Sequence, residues 1–220
     1  MTAQKGRWLQ VPAIDGSGSF RAYLATPASG KGPGIVLAQE IFGVNATMRQ
    51  VADYYAEEGY VVLAPDLFWR QQPEVELGYA PDDWQKAFAL YKGFDEDKGT
   101  EDVAASLALL RSLPEQQGKA GVLGFCMGGK LAYLAACRTD ADVCVGYYGV
   151  GIEQRLEEAE RIQGRLVLHI PELDGFCPPE ARARIVETLG ARPGCELYVY
   201  PGVDHAFARL GGDHYHKPSA

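Results

Sequence analysis

The sequence has no excess of positive charge, no long apolar run and no regular cysteine framework. Its 220 residues carry 21 Lys and Arg against 29 Asp and Glu, a formal net charge of −8, and no Lys/Arg cluster breaks that balance. A nucleic-acid-binding face normally shows a basic stripe, so no nucleic-acid partner is expected. No apolar stretch approaches the roughly 20 residues needed to cross a bilayer. The segment from Met1 to Trp8 lacks the apolar core of a secretory signal. A cytoplasmic protein with no membrane partner is the expectation. Five cysteines are an odd number, and Cys126, Cys137, Cys144, Cys177 and Cys195 follow no ligand spacing. Neither a disulfide framework nor a zinc site is suggested, and at least one thiol is free.

What is present is a globular composition, 47% hydrophobic and 23% charged. No repeat, low-complexity tract or linker divides it, so the expectation is one domain over residues 1–220 with a polar tail from about residue 211. Residues 19–25 alternate like an outer strand, and short apolar runs at 35–38, 60–64, 121–123, 143–148, 166–170 and 197–200 read as strands. Between them, helical spacing covers a run capped by Asn45 and ending at Glu58, then 82–94, 100–112, 127–137 and 179–189. Strands alternating with helices of ten or more residues predict an α/β fold with a mostly parallel sheet, helices on both faces. Ligands of such sheets bind beyond the carboxyl ends of the strands.

One strand runs into Gly124-Phe125-Cys126-Met127-Gly128-Gly129 and then directly into a helix. This is a G-x-S-x-G elbow with cysteine in place of serine. So sharp a turn has no room for side chains two residues either side of the nucleophile, and Gly124 and Gly128 supply none. The turn sets the Cys126 sulfur at the positive end of a helix dipole, which favours the reactive thiolate. Gln39-Glu40-Ile41-Phe42-Gly43 follows the strand at 35–38, where this fold places part of an oxyanion hole. Main-chain N–H groups of Met127 and Ile41 are the candidate donors. Glu40 reads either as a solvated loop acid or as a partner for an arginine or the thiol.

Of four histidines, His205 lies in the loop after the last strand, where a base is delivered, while His169 sits inside an apolar strand and reads as packed. His214 and His216 stand in the polar tail with no third metal ligand evident. Asp174, after the strand at 166–170, is the candidate acid, with Glu172 as competitor. The order Cys126, Asp174, His205 is nucleophile, acid, base, as in α/β-hydrolases.

Taken together, these segments resemble the dienelactone hydrolase (carboxymethylenebutenolidase) family. The resemblance rests on residues 38–45 (Ala-Gln-Glu-Ile-Phe-Gly-Val-Asn), 65–68 (Pro-Asp-Leu-Phe), 124–129, 146–151 (Gly-Tyr-Tyr-Gly-Val-Gly) and 205–209 (His-Ala-Phe-Ala-Arg). It implies a hydrolase of the α/β-hydrolase fold that opens a small lactone or enol ester without cofactor. Separately, no metal is expected, and the chain is expected to be a monomer or weak homodimer. It implies that Glu40 contacts the resting Cys126 and Arg209, that substrate carboxylate takes Arg209, and that the freed Glu40 helps deprotonate the thiol. Phe42, Tyr147 and Phe176 fall at its pocket positions. Trp84 and Phe88 stand where the family has a carboxylate-binding arginine and a tyrosine, which weakens the case for dienelactone itself and favours a carboxylesterase of small neutral or aromatic esters. Arg70 is a substitute candidate. A final covering helix is expected to be absent, because residues after Gly211 show no apolar period. A hydrolase fold kept only for a redox-sensing Cys126 is the reading of a different class.

Overall fold

Strand and helix alternate much as the periodicity predicts. In the computed structural model, which describes residues 6–220, the order is β1 (Arg7–Pro12), β2 (Ser19–Ala25), β3 (Gly32–Ala38), α1 (Ala46–Glu57), β4 (Val61–Pro65), α2 (Pro81–Lys92), α3 (Glu96–Ser112), β5 (Gln116–Phe125), α4 (Met127–Arg138), β6 (Val143–Tyr147), β7 (Arg165–Pro171), α5 (Pro179–Leu189) and β8 (Cys195–Tyr200). Two short 3-10 helices, Ile152–Gln154 and Leu156–Arg161, separate β6 from β7. Of the N-terminal segment read for a signal, Met1 to Lys5 lie outside the described residues. The eight strands form a sheet in the order β1-β2-β4-β3-β5-β6-β7-β8. The chain divides into two compact units, Met1–Val122 and Leu123–Ala220.

In the first unit β3 and β4 pair in parallel, while β1–β2 and β2–β4 are antiparallel. Residues 19–25 are therefore not the outer strand that their alternation suggests. β1 lies outside them, and its half-exposed, polar-interrupted sequence carries too weak a period to be read as a strand. β4 is buried at all five positions, as expected of a strand covered on both faces. Asn45 caps α1 by accepting the Met48 N–H at 3.1 Å, and its amide donates to the Leu77 carbonyl at 2.8 Å. Asp95 caps α3 by accepting the N–H groups of Asp97 and Lys98. That cap starts α3 four residues before the expected 100, in a first turn with little apolar signal. Arg70 is committed to structure: its guanidinium bonds both oxygens of the fully buried Asp102 and also Asp15 and Ser17. It is thereby engaged as a clip for its own loop.

In the second unit β6, β7 and β8 are parallel, with Tyr147 opposite His169 and Pro171 opposite Tyr200. These three strands end almost level, so the loops that follow them leave from one edge. α4 is buried along its whole face from Met127 to Cys137, the pattern of a helix enclosed on all sides. Residues 201–220 form turns and contain no helix.

Candidate active site

The elbow after β5 has the strain that its sequence implies. Cys126 sits at φ +56°, ψ −118°, a conformation that non-glycine residues adopt only when the surroundings impose it. A Cβ on Gly124 would lie 1.9 Å from the Gly128 carbonyl oxygen, and one on Gly129 would lie 2.6 Å from the Tyr147 carbonyl oxygen. The turn closes only without those side chains. The Cys126 N–H donates to the Tyr147 carbonyl at 3.1 Å, and its own carbonyl accepts from Gly129 at 2.9 Å. Met127 opens α4, and N–H groups of a first helical turn have no partner within the helix.

The loops after β7 and β8 are laced together. Glu172 and Leu173 donate their N–H groups to the carbonyls of Tyr200 and Val203, and the Glu172 carboxylate accepts the Gly202 N–H at 2.8 Å. Glu172, the competing acid, is thus employed in joining the two loops. Asp174, two residues on, is buried and points inward. Its Oδ1 accepts the Phe176 N–H at 2.8 Å, and its Oδ2 accepts from Nδ1 of His205 at 2.8 Å. A carboxylate only accepts, so this bond fixes the proton on Nδ1 and leaves Nε2 for the remaining partner. That partner is the Cys126 side chain, which hydrogen-bonds the same ring.

His205 is buried, and burial opposes its charged form. The charge of Cys126, the hydrogen bonds to Asp174 and Cys126 and the charge of Asp174 outweigh that cost, and the imidazolium is pushed up to about 10. Aromatic rings complete the wall: Phe176 and Tyr148 both meet the His205 ring edge-on, with centroids at 4.9 and 5.0 Å. Phe176 is nearly half exposed, whereas Tyr148 is buried at φ +39°. Tyr148 was not singled out from the sequence. No local period marks it, because it lies one residue past β6 at a left-handed φ, where strand alternation no longer applies. The Tyr147 ring stacks on His169 at 4.1 Å and Phe125 at 5.2 Å and shares Phe125 and Phe207 as neighbours with Tyr148, and its carbonyl accepts the Cys126 N–H of the elbow.

His169 is the packed histidine its strand position predicts. It bonds the Tyr200 hydroxyl at 2.7 Å, and burial lowers it to about 4. Three of the other thiols are held in the neutral form. Burial pushes those of Cys137 and Cys177 up to about 11, and that of Cys195 also rises. Asp174, Tyr148, Cys177 and Ile185 are among the residues that line a void of about 10 Å³, room for about one water.

In the first unit, Glu40 and Ile41 are buried in the loop after β3. Beside them Phe42 packs edge-on against Tyr79 and Trp84, both at 4.8 Å, and Trp84 packs on Phe88 at 5.5 Å. Four of the predicted pocket and oxyanion residues thus belong to one aromatic-rich region. Arg209, in the second unit, is half buried four residues after His205. Among the described residues no group of His, Cys, Asp and Glu is placed to hold a metal, and no helix is long and apolar enough to cross a membrane.

The dienelactone hydrolase family profile matches residues 20–220, which is most of the chain. The chain belongs to the dienelactone hydrolase family. A candidate carboxymethylenebutenolidase of Azospirillum brasilense is 42% identical over 217 residues, covering 96% of this chain and 92% of that protein. The carboxymethylenebutenolidase of Pseudomonas putida is 37% identical over 210 residues, covering 94% and 88%. The crystal structure of a candidate dienelactone hydrolase from Klebsiella pneumoniae superposes with a TM-score of 0.84 at 24% identity, covering 98% of this chain and 92% of that one. That last likeness establishes the α/β-hydrolase fold. Membership in the family makes this chain a dienelactone-hydrolase-like hydrolase.

Proposed function

We propose that the protein hydrolyses a small lactone or enol ester by covalent catalysis through Cys126, His205 and Asp174. The observation that carries this reading is the His205 ring, which bonds the Asp174 carboxylate on one side and Cys126 on the other. The Cys126 thiolate attacks the ester carbonyl, and the C=O π electrons move to the oxygen. The Met127 N–H, in the first turn of α4, holds that oxyanion. When the carbonyl reforms, the ester C–O bond breaks and imidazolium His205 protonates the leaving oxygen, giving a thioester. His205 then takes a proton from water, the hydroxide adds to the thioester, and the acid departs as the thiolate returns.

An activated ester or lactone suits this device, because a thiolate is itself a good leaving group and is expelled in preference to a poor alkoxide. Trimming one oxyanion donor costs about 10²–10³ in rate in such sites. Arg209, half buried four residues after His205, is proposed to take the carboxylate of an anionic substrate. Turnover of p-nitrophenyl acetate and of dienelactones by wild type and Cys126→Ala tests the reading, and equal rates in the two proteins would overturn it. Arg209→Ala separates substrate classes: anionic lactones should lose more kcat/KM than neutral esters, and a uniform loss would make Arg209 structural.

A second reading, a carboxylesterase of small neutral or aromatic esters with the same triad, is favoured by the Phe42–Trp84–Phe88 cluster. Neither Trp84 nor Phe88 can pair with a carboxylate. Higher kcat/KM for neutral aromatic esters than for charged lactones would select it.

A further inference from the structure

The loop that carries His205 forms no sheet ladder, yet the three successive carbonyls of His205, Ala206 and Phe207 are each held. The His205 carbonyl accepts from Nδ1 of His214 at 2.9 Å, the Ala206 carbonyl from the Arg209 N–H at 2.9 Å, and the Phe207 carbonyl from the His216 N–H at 2.9 Å. Two of these three donors belong to the last seven residues. On the other side of His205, its N–H donates to Oδ1 of Asp204 at 2.6 Å, and Oδ2 of Asp204 lies 3.8 Å from His214 Nδ1. Both ends of the His205 main chain are therefore held by side chains. Ala206 sits at φ +63°, a left-handed conformation that a non-glycine residue keeps only under such external constraint. Gly212 anchors the strap by donating to the Arg209 carbonyl at 3.0 Å.

We propose that His214 is a positioning residue for the reaction. Its Nδ1–H, fixed as donor because a carbonyl only accepts, sets the main chain of His205 and so the aim of the imidazole between Asp174 and Cys126. The last residues form a strap across the base-bearing loop, and His214 is the side chain that grips it. This rests on His205 being the base, as proposed above. An imidazole whose main chain is released samples geometries from which proton transfer is slow, and small misplacements of catalytic groups cost large factors in rate.

The test compares wild type, His214→Ala, His214→Phe and His214→Asn, with His205→Ala beside them, in hydrolysis of p-nitrophenyl acetate at one fixed pH. His214→Ala and His214→Phe should lower kcat about tenfold with KM nearly unchanged. His214→Asn, whose amide N–H can occupy the place of Nδ1–H, should recover most of the loss. Wild-type kcat in His214→Ala, or an Asn variant no better than Phe, overturns the assignment. A readout independent of turnover is the NMR signal of the His205 Nδ1–H bonded to Asp174. It should broaden in the Ala and Phe variants and sharpen again in Asn, and a signal unaltered in all three also overturns the proposal. Full activity in His205→Ala would instead defeat the catalytic reading, while the NMR arm still reports whether His214 positions the ring.

Discussion

Asp174 holds His205 with one carboxylate oxygen at 2.8 Å and braces its own loop with the other, which accepts the Phe176 N–H at the same distance. One side chain thus fixes the tautomer of the ring and the shape of the loop that presents it. The arrangement is possible because β7 and β8 run in parallel with Pro171 opposite Tyr200, so both loops begin level.

Replacing Asp174 with Asn should therefore damage catalysis far more than folding. The amide loses the charge that favours imidazolium and can turn an N–H toward Nδ1, which then needs the other tautomer. A fall in kcat of about 10³–10⁴-fold is expected, by analogy with the triad aspartate of serine proteases. Steady-state hydrolysis of p-nitrophenyl acetate measures it, and a fall below tenfold would reduce Asp174 to a loop brace.

The charge state of His205 can be read directly. With the ring raised to about 10, its imidazolium persists as pH increases past 6.5 and is lost only as pH passes through the folded value. NMR titration of the imidazole should show this in wild type. In Cys126→Ala the opposing charge is gone while burial remains, so the midpoint should drop. An unchanged midpoint would mean that Cys126 does not act on the ring.

Gly124→Ala should break the elbow. Its Cβ would lie 1.9 Å from the Gly128 carbonyl oxygen, so main chain must move, at a cost of about 1–3 kcal/mol or more. Gly175→Ala, in the Asp174 loop, meets nothing within 4 Å and should be close to neutral in stability. Urea denaturation of the two variants compares them, and similar midpoints would contradict the steric account.

Acid stability should report His169. Its lowered pKa means that the native state binds fewer protons than the unfolded chain. Its contribution is complete above pH 6.5 and disappears as pH falls toward about 4. Allowing for its partial exposure, about 2 kcal/mol is at stake. His169→Phe keeps a ring to stack on Tyr147 and should flatten the loss of stability over that interval, as followed by urea midpoints at several pH values.

Legibility in the sequence followed the range of the forces involved. Helices with a regular apolar stripe were read to within a residue or two, and 179–189 coincides with α5. The start of α3 was missed because a cap by Asp95, not apolar spacing, sets it. β1 was missed because an edge strand needs little apolar alternation. Arg70 can serve substrate or loop as far as its neighbours in sequence tell, because its bonds to Asp102 and Asp15 are contacts across many residues that no local pattern encodes.

By itself the sequence determined the α/β alternation, the glycine-flanked elbow at Cys126 and the chain order in which Asp174 and His205 follow. Those are local steric and periodic facts, written in neighbouring residues. The tertiary structure decided which residues meet. It gave Glu172 to the joining of two loops and Asp174 to the ring, turned Tyr148 toward His205 and Tyr147 toward His169, and folded a polar tail back until His214 reached the His205 carbonyl. Such pairings depend on strand register and on the demand that every buried polar group find a partner, and both are settled only when distant segments pack.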